Sequence, residues 1–516
     1  MSVDTLEQHE ALIRAMLDPR AWKAEGGQRR RIDTHISTVV LAGDRAYKIK
    51  KPLDLGFLNF LDLEDREKAC REELRLNRRL APQIYLDVSR ITGALNSPEI
   101  EGPGQLLDWA VQMQRFDPDA ILSAMLDRVT PELLDALARQ IGKFHAAAAQ
   151  ASDDLSFGST EAVFSPMMQN FEQLREFVPS RLGQLTPIEQ WTVLQQQRLA
   201  DRIDGRRRDG KVRECHGDLH LGNVALIDNE AVVFDAIEFN PGFRWIDVIN
   251  DIAFMTMDLK QRLGRESASR FLNGYLAISA DYGGVALLRL YEVYRALVRA
   301  KIAAIRLCQL DAADPERETI WQELDGYLEL AAQLAVPQRG AIIMMRGVSG
   351  SGKSFVAQQI ADRLPAIFVR SDVERKRLLG LAATADASMA GGYDDNITEA
   401  TYAQLARLTE QVSVAGYVVV VDATFLKRSQ REPFHRLCNH LGLPLVIVDC
   451  DAPVDVLKHR VTERTMQEDN VSDATHAVLV HQLATREPLE SDEGDIVLEV
   501  GPAKPLDWEA LVAGVA

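Results

Sequence analysis

Residues Gly347-Val348-Ser349-Gly350-Ser351-Gly352-Lys353-Ser354 place two glycines with four residues between them, followed by a lysine and a serine. The run follows the apolar stretch Ala341–Met345 and precedes a helical pattern, so it demands a strand, a tight loop and a helix in that order. Further apolar β-rich runs come at Ala366–Val369, Tyr417–Val421, Pro444–Val448 and Ile496–Val500, with helical stretches between them. Near-continuous apolar strands between helices are the pattern of a buried parallel sheet.

The same octapeptide carries chemistry. Its glycines let backbone N–H groups close around a phosphate at the positive end of the next helix, with Gly347, Ser349, Gly350, Ser351 and Gly352 forming the cradle. Lys353 would reach the β- and γ-phosphates of ATP, and the Ser354 hydroxyl would ligate Mg²⁺. The bland alternative is a Gly-rich turn. Asp372 lies just past a strand end, where it would accept the proton of an acceptor hydroxyl, with Arg375 one helical turn on to orient that acceptor. The alternative for Asp372 is a helix cap. Val418–Val421 is an apolar strand running into Asp422, placed to hold Mg²⁺ through water or to orient the acceptor, unless it is a turn residue. Arg460 and Arg464 are four apart on one helical face, suited to stabilising charge on a transferring phosphoryl group or, more plainly, forming a solvated basic face. Ser472-Asp473 is expected to cap a further helix.

On Gly347–Ser354, Arg370–Lys376, Val418–Phe425 and the Arg460/Arg464 pair, residues 340–505 resemble the predicted P-loop kinases grouped with polynucleotide 5′-kinases, zeta toxins and gluconate-type kinases. The resemblance implies an α/β fold, a doubly wound parallel sheet with helices on both faces, and the roles just given. It does not fix the acceptor. The segment from Gly391-Gly392-Tyr393 to Tyr402 lies between Asp372 and Asp422 and is expected to shape the acceptor pocket.

A second constellation lies upstream. In His216-Gly217-Asp218-Leu219-His220-Leu221-Gly222-Asn223 the Asp-to-Asn spacing is that of a kinase catalytic loop, where Asp218 would accept the hydroxyl proton and Asn223 would hold Mg²⁺. Val224–Ile227, Asp228-Asn229 and Ala231–Phe234 read as a hairpin that delivers Asp235 as a second metal ligand. The next residues are Ala236-Ile237-Glu238, without the Phe-Gly of protein kinases. Glu238 is expected at the surface, with a metal contact as its alternative. His216 is expected to brace the loop rather than react. Lys48 and Lys50 face one side of a strand. One of them would bind the α/β-phosphates and pair with Glu72 or Glu73 on the next helix, Lys48 with Glu73 being preferred. An exposed basic strand edge is the alternative. No Gly-rich loop precedes Lys48, and Ser37-Thr38 and Gly43-Asp44 are the only candidates for that task.

On His216–Asn223 and Phe234–Asn240, residues 30–310 resemble the aminoglycoside phosphotransferase-like family, which implies an α+β, two-lobed kinase fold. That fold also serves choline, fructosamine and other small-molecule kinases, so it does not establish aminoglycosides as substrates. The whole chain resembles bacterial fusions of such a domain with a predicted P-loop kinase.

The organisation agrees. Residues up to 35 look helical, then irregular and basic. Strand-like runs Thr38–Ala42 and Arg45–Lys50, a helix Leu63–Leu80 and further strands make a small lobe. Helical patterns at Pro131–Ala149, Ser165–Arg208, Trp245–Leu259, Ala286–Leu310 and Arg317–Ala335 make a larger one. Val336-Pro337-Gln338-Arg339-Gly340 breaks the last helix, so the expected domains are 1–335 and 336–516. A net charge of −17 argues against a broad grip on nucleic acid. Five scattered cysteines without metal-ligand spacing suit a reducing cytoplasm. The longest apolar stretch is too short for a membrane span. The leading expectation is a bifunctional ATP- and Mg²⁺-dependent kinase acting on hydroxyl groups of small molecules. The rivals are a C-terminal kinase for nucleic-acid 5′-hydroxyls or nucleotide sugars, an N-terminal domain that binds ATP without turnover and regulates its neighbour, and an ATP-driven switch.

Overall fold

The computed structural model describes residues 3–20, 22, 29–54, 56, 58–152, 156–381, 394–464, 475–490 and 492–516, with the Arg464 side chain outside that description. The chain divides into two compact units: Met1–Glu176 with Val193–Asp258, and Phe177–Thr192 with Leu259–Ala516.

The first unit opens with α1 (Leu6–Leu17), started by a Thr5/Gln8 capping box. Six antiparallel strands follow: β1 (Arg30–Asp33), β2 (Ser37–Ala42), β3 (Arg45–Lys50), β4 (Tyr85–Ala94), β5 (Ser97–Ile100) and β6 (Leu106–Gln114), in the order β1-β2-β3-β6-β4-β5. The basic stretch expected to be irregular thus becomes β1, because Arg30–Asp33 pairs with Thr38–Leu41. Helix α2 (Leu63–Asn77) lies between β3 and β4 in sequence. Alternation along the strands feeds two cores. Val40, Tyr47, Ile49 and Ala110 join Ile13 and Met16 of α1, whereas Leu41, Ala46, Trp109 and Val111 join Cys70 of α2. Lys48 and Lys50 share the period-two face of Ala46, which is the α2 face.

The remainder of this unit uses α3 (Pro131–Ala147), α4 (Thr160–Phe177), β7 (Val212–Glu214), β8 (Val224–Ile227), β9 (Glu230–Val233) and β10 (Trp245–Asp247), with α5 (Leu182–Arg208) from Val193 on and α6 (Val248–Leu263) up to Asp258. Asp228 and Asn229 turn the β8–β9 hairpin with φ of 52° and 63°, the two positive angles of a type I′ turn. The helix expected from Trp245 begins three residues later, since Trp245–Asp247 pairs with β7. The helical run expected through Ser165–Arg208 is interrupted at Val178–Arg181, where Pro179 opens a separate 3₁₀ turn.

In the second unit come α7 (Arg265–Ser279), α8 (Val285–Gln309) and α9 (Glu316–Leu334). Then β11 (Ala341–Arg346), α10 (Lys353–Arg363), β12 (Ile367–Arg370), α11 (Ser371–Leu378), α12 (Asp395–Val414), β13 (Val418–Asp422), α13 (Arg428–Leu441), β14 (Leu445–Cys450), α14 (Val454–Arg464), α15 (His476–Thr485), β15 (Ile496–Val500) and α16 (Trp508–Val515) complete it. Its sheet is all parallel, in the order β12-β13-β11-β14-β15. Every residue of β11 is buried, as a strand covered on both faces must be. The position 335/336 falls between α9 and β11, inside this unit. Cys70, Cys215, Cys438 and Cys450 are buried and Cys308 on α8 is exposed. No described helix is long and apolar enough to cross a membrane.

Candidate active sites

In the first unit the site begins with a buried ionic cluster. Lys48 Nζ lies 2.7 Å from Glu73 Oε1 and 2.5 Å from Asp235 Oδ1. Lys50 Nζ lies 2.5 Å from Glu73 Oε2 and also pairs with Glu238. The two lysines therefore share Glu73 and differ in their second partner. Lys48 reaches Asp235, whose side chain is 39% exposed, whereas Lys50 is sealed inside with Glu238. Glu238 is thus buried and not at the surface as expected, because Lys50 draws it inward. Burial alone would raise the Glu73 carboxyl, but the Lys48 and Lys50 ammonium groups outweigh it and hold it well below the usual carboxylate range. Burial likewise opposes charge on Lys48, and Asp235 with Glu73 overcomes it. Glu72 turns elsewhere, to Arg75 and Arg244, each at 2.7 Å.

Asp235 has a φ of 65°, a left-handed conformation uncommon outside glycine, and neighbouring groups hold it there. Asp235 N donates to the Tyr85 hydroxyl at 3.2 Å and Ala236 N to Asn77 Oδ1 at 2.8 Å. The Asp218 loop is braced from α6. His216 N and Gly217 N donate to the two carboxylate oxygens of Asp251 at 3.0 and 2.8 Å, and Leu221 N donates to Asp258 Oδ2 at 3.0 Å. Burial would raise the Asp251 carboxyl, yet the His145 ring at 3.0 Å and the loop amides bring it down to about 2. His145, Cys215 and Asp251 stand close enough to suggest a metal, but the Asp251 oxygens already accept these N–H groups. His216 Nε2 donates to Phe234 O at 2.9 Å and its Nδ1 accepts from Asp218 N at 3.3 Å, a bracing geometry. Asn223 Nδ2 donates to Asp218 Oδ2 at 2.8 Å, which fixes the aim of that carboxylate and turns the Asn223 oxygen away from it. Asn223 O accepts from Phe234 N at 3.0 Å, so Asn223 and Asp235 are tied together through one strand. Asp251 and Asp258 escaped the sequence reading. Their signal is two acids seven apart on one face of a helix, separated by the largely apolar run Ile252–Met257.

Ser37 and Thr38, candidates for covering phosphates, are fully buried. Thr38 Oγ1 donates to Asp33 Oδ1 and lies 3.0 Å from His9 Nε2. The β1–β2 connection is only Thr34–Ile36, and Gly43-Asp44 is the tight turn between β2 and β3.

In the second unit the loop after β11 opens onto a cleft of about 400 Å³ lined by Lys353, Ser354, Asp372, Arg375 and Asp422, among others. Gly347 has a φ of 148° and a Cβ there would sit 2.4 Å from Cys450 O. At Gly350 (φ 84°) it would sit 2.8 Å from Leu457 O. Both positions exclude larger residues, for conformation and for space. Gly352 caps α10, so Lys353 and Ser354 occupy its first turn. Ser349 N donates to Gln482 Oε1 of α15 at 2.8 Å, and Ser351 Oγ is buried with no partner among the described residues. Gln482 was not foreseen, because nothing local marks a glutamine on a later helix.

Asp372 sits in the first turn of α11 and does not cap it. The cap position is Arg370, and Arg375 Nη1 lies 3.2 Å from Asp372 Oδ1. Asp422 ends β13, and its Oδ1 is buried without a hydrogen-bond partner among the described residues. A cation bound beside Ser354 would satisfy that atom, so the donor set fits Mg²⁺. Arg460 Nη1 reaches Gly350 O at 3.2 Å and Ser351 O at 3.4 Å. The Arg464 side chain, Ser472-Asp473 and Gly391–Tyr393 lie outside the described residues. Asp395, Thr398 and Tyr402 do line the cleft. Thr475 caps the described helix α15, its side chain accepting from Val478 N.

Comparison with known proteins gives two family matches. A family model described as the phosphotransferase enzyme family matches residues 58–288, and one described as an AAA domain matches residues 342–489. An uncharacterized protein of Mycobacterium tuberculosis and one of Mycobacterium bovis are each 30% identical over 481 residues, 91% of this chain and 92% of theirs. Among solved structures, a sugar kinase from Janibacter sp. is 27% identical, covering 32% of this chain and 86% of that one, with a TM-score of 0.25. A choline/ethanolamine kinase family protein from Mesorhizobium loti is 12% identical, covering 63% of this chain and 94% of that one, with a TM-score of 0.36.

Proposed function

The chain belongs to the family of these mycobacterial proteins and joins an aminoglycoside phosphotransferase-like domain to a P-loop kinase domain, and from that premise we propose that it is a bifunctional ATP-dependent kinase for hydroxyl groups of small molecules. The observation that carries this is the repetition of one set of parts. Each site has a lysine for phosphate, a carboxylate for the acceptor proton and oxygen ligands for a metal: Lys48, Asp218 and Asn223 with Asp235 in one, Lys353, Asp372 and Ser354 with Asp422 in the other.

In both sites an acceptor oxygen attacks the γ-phosphorus in line, the bond to the bridging oxygen breaks, and ADP leaves with that electron pair. The acceptor proton passes to Asp218 in the first site and to Asp372 in the second. Asn223 Nδ2 aims the Asp218 carboxylate, and Arg375 aims that of Asp372. Arg460 stands beside the phosphate loop, where its charge would favour the transition state. Bound Mg²⁺ would neutralise phosphate charge at each site.

The test is transfer from γ-labelled ATP with Mg²⁺ to pooled sugars, amino-alcohols, nucleosides and 5′-hydroxyl oligonucleotides. The intact protein is compared with Lys353→Ala, Asp218→Ala and the double variant. Loss of different acceptors in the two single variants is expected. Transfer that survives in the double variant would overturn the proposal. One observation favours a second reading, in which the first site binds ATP without turning it over: the short β1–β2 connection has no Gly-rich loop to cover phosphates. Product formed by the Lys353→Ala protein, and lost when Asp218→Ala is added, excludes that reading.

A further inference from the structure

Strand β12 pairs with β13 alone among the described strands, so its other edge presents backbone groups that need partners. A side chain supplies them. Asn273 of α7 donates from Nδ2 to Ala366 O at 2.9 Å and accepts at Oδ1 from Phe368 N at 2.8 Å. One side-chain amide thereby replaces the peptide of a missing neighbour strand. Ser269, one turn earlier, donates to Ala361 O at 2.8 Å and accepts from Asn273 Nδ2 at 3.3 Å. Both residues are buried. The seam continues along the chain. The Tyr282 hydroxyl lies 3.5 Å from Phe368 O, and Arg377 of α11 donates to Ala277 O at 2.8 Å.

Two facts give this seam a functional direction. Helix α7 lies inside the span matched by the phosphotransferase family model, and the groups it holds, from Ala361 to Arg377, lie inside the span matched by the AAA model. Strand β12 also runs straight into α11, with Arg370 as its cap and Asp372 in its first turn. A shift of β12 along its edge would therefore move Asp372 and Arg375 together. We propose that Asn273 is a positioning residue for the acceptor side of the P-loop site. A helix of the phosphotransferase span fixes the strand from which the acceptor-handling carboxylate and guanidinium project. The inference rests on the phosphotransfer reading of that cleft.

The test uses the full chain carrying Asn273→Leu, which keeps the volume and removes both hydrogen bonds to the β12 edge along with the one to Ser269, and Asn273→Asp, which keeps only the acceptor facing Phe368 N. Amide exchange of residues 366–378 in Asn273→Leu should rise roughly tenfold, the scale of one or two lost hydrogen bonds. Binding of ADP with Mg²⁺ at the P-loop should stay within about twofold, because the cradle is untouched. Lys353-dependent transfer should lose roughly tenfold in kcat with KM for ATP unchanged. Asn273→Asp should fall between Asn273→Leu and the unmodified protein, and Asp218-dependent transfer should not change. Unchanged exchange, or raised exchange with unchanged kcat, would overturn the proposal, as would an equal loss of ADP binding, the mark of a purely structural role. Should Asn273→Leu fail to fold, Ser269→Ala and Tyr282→Phe carry the same comparison with one hydroxyl removed each. If the unmodified protein shows no Lys353-dependent transfer, the phosphotransfer reading fails, while the exchange experiment still decides whether Asn273 holds β12.

Discussion

On the proposed reading, the P-loop cleft and the N-terminal site would offer positive charge to phosphate by opposite means. In the cleft the cradle is backbone, bent by Gly347 and Gly350 into shapes that other residues would strain, and Lys353 follows it directly. In the N-terminal site the charge is side chain, and Lys48 is held in place only because Glu73, Asp235, Lys50 and Glu238 are assembled around it. A backbone cradle brings no buried ion cluster that must be desolvated. A buried ion cluster must recover the desolvation of every member, so each member's loss is felt by the fold as well as by the site.

The sharpest way to break this contrast is Asp218→Ala. Loss of the proposed acceptor base should lower transfer at the N-terminal site about 10²–10⁴-fold, measured with its acceptor, while leaving Lys353-dependent transfer intact. Next is Lys50→Met, which strands Glu238 and half of Glu73. It should destabilise the first unit by about 3–5 kcal/mol, seen as an earlier transition in chemical denaturation. Lys353→Met should cost on the order of 10²–10³ in kcat at the cleft and leave that transition where it was. If Lys353→Met destabilised the fold as much as Lys50→Met, the distinction between the two designs would be lost.

The smallest effect concerns pH. Burial lowers the His9 imidazole from 6.5 to about 4. Its folded value lies below its unfolded one, so its contribution is complete above pH 6.5 and is lost as pH falls toward 4. The loss is on the order of 3 kcal/mol. Denaturation of the first unit between pH 7 and 4.5 should show it, and His9→Gln should flatten that slope.

The same contrast explains what the sequence revealed. The P-loop was legible because its eight residues are contiguous and its strand and helix flank it. The parallel sheet was legible because five apolar runs recur between helices, and all five became strands. Lys48 with Glu73 could be anticipated from strand alternation and a following helix, but Lys48 and Asp235 are 187 residues apart. Glu238 was misplaced because its burial depends on a lysine far away in sequence. Asp251, Asp258, Gln482 and Asn273 act on backbone N–H and C=O groups, which carry no sequence signature of their own. The folding of Leu259–Leu334 into one unit with the parallel sheet rests on such contacts too, and for that reason the Pro337–Gly340 break says little about compactness.

The cysteine arrangement has a practical consequence. Four thiols are buried, and burial pushes those of Cys438 and Cys450 up to about 12, which starves them of reactive thiolate. Cys308, near the end of α8, is exposed. A maleimide dye added to the unmodified protein should therefore attach at that one place and give the molecule an optical reporter.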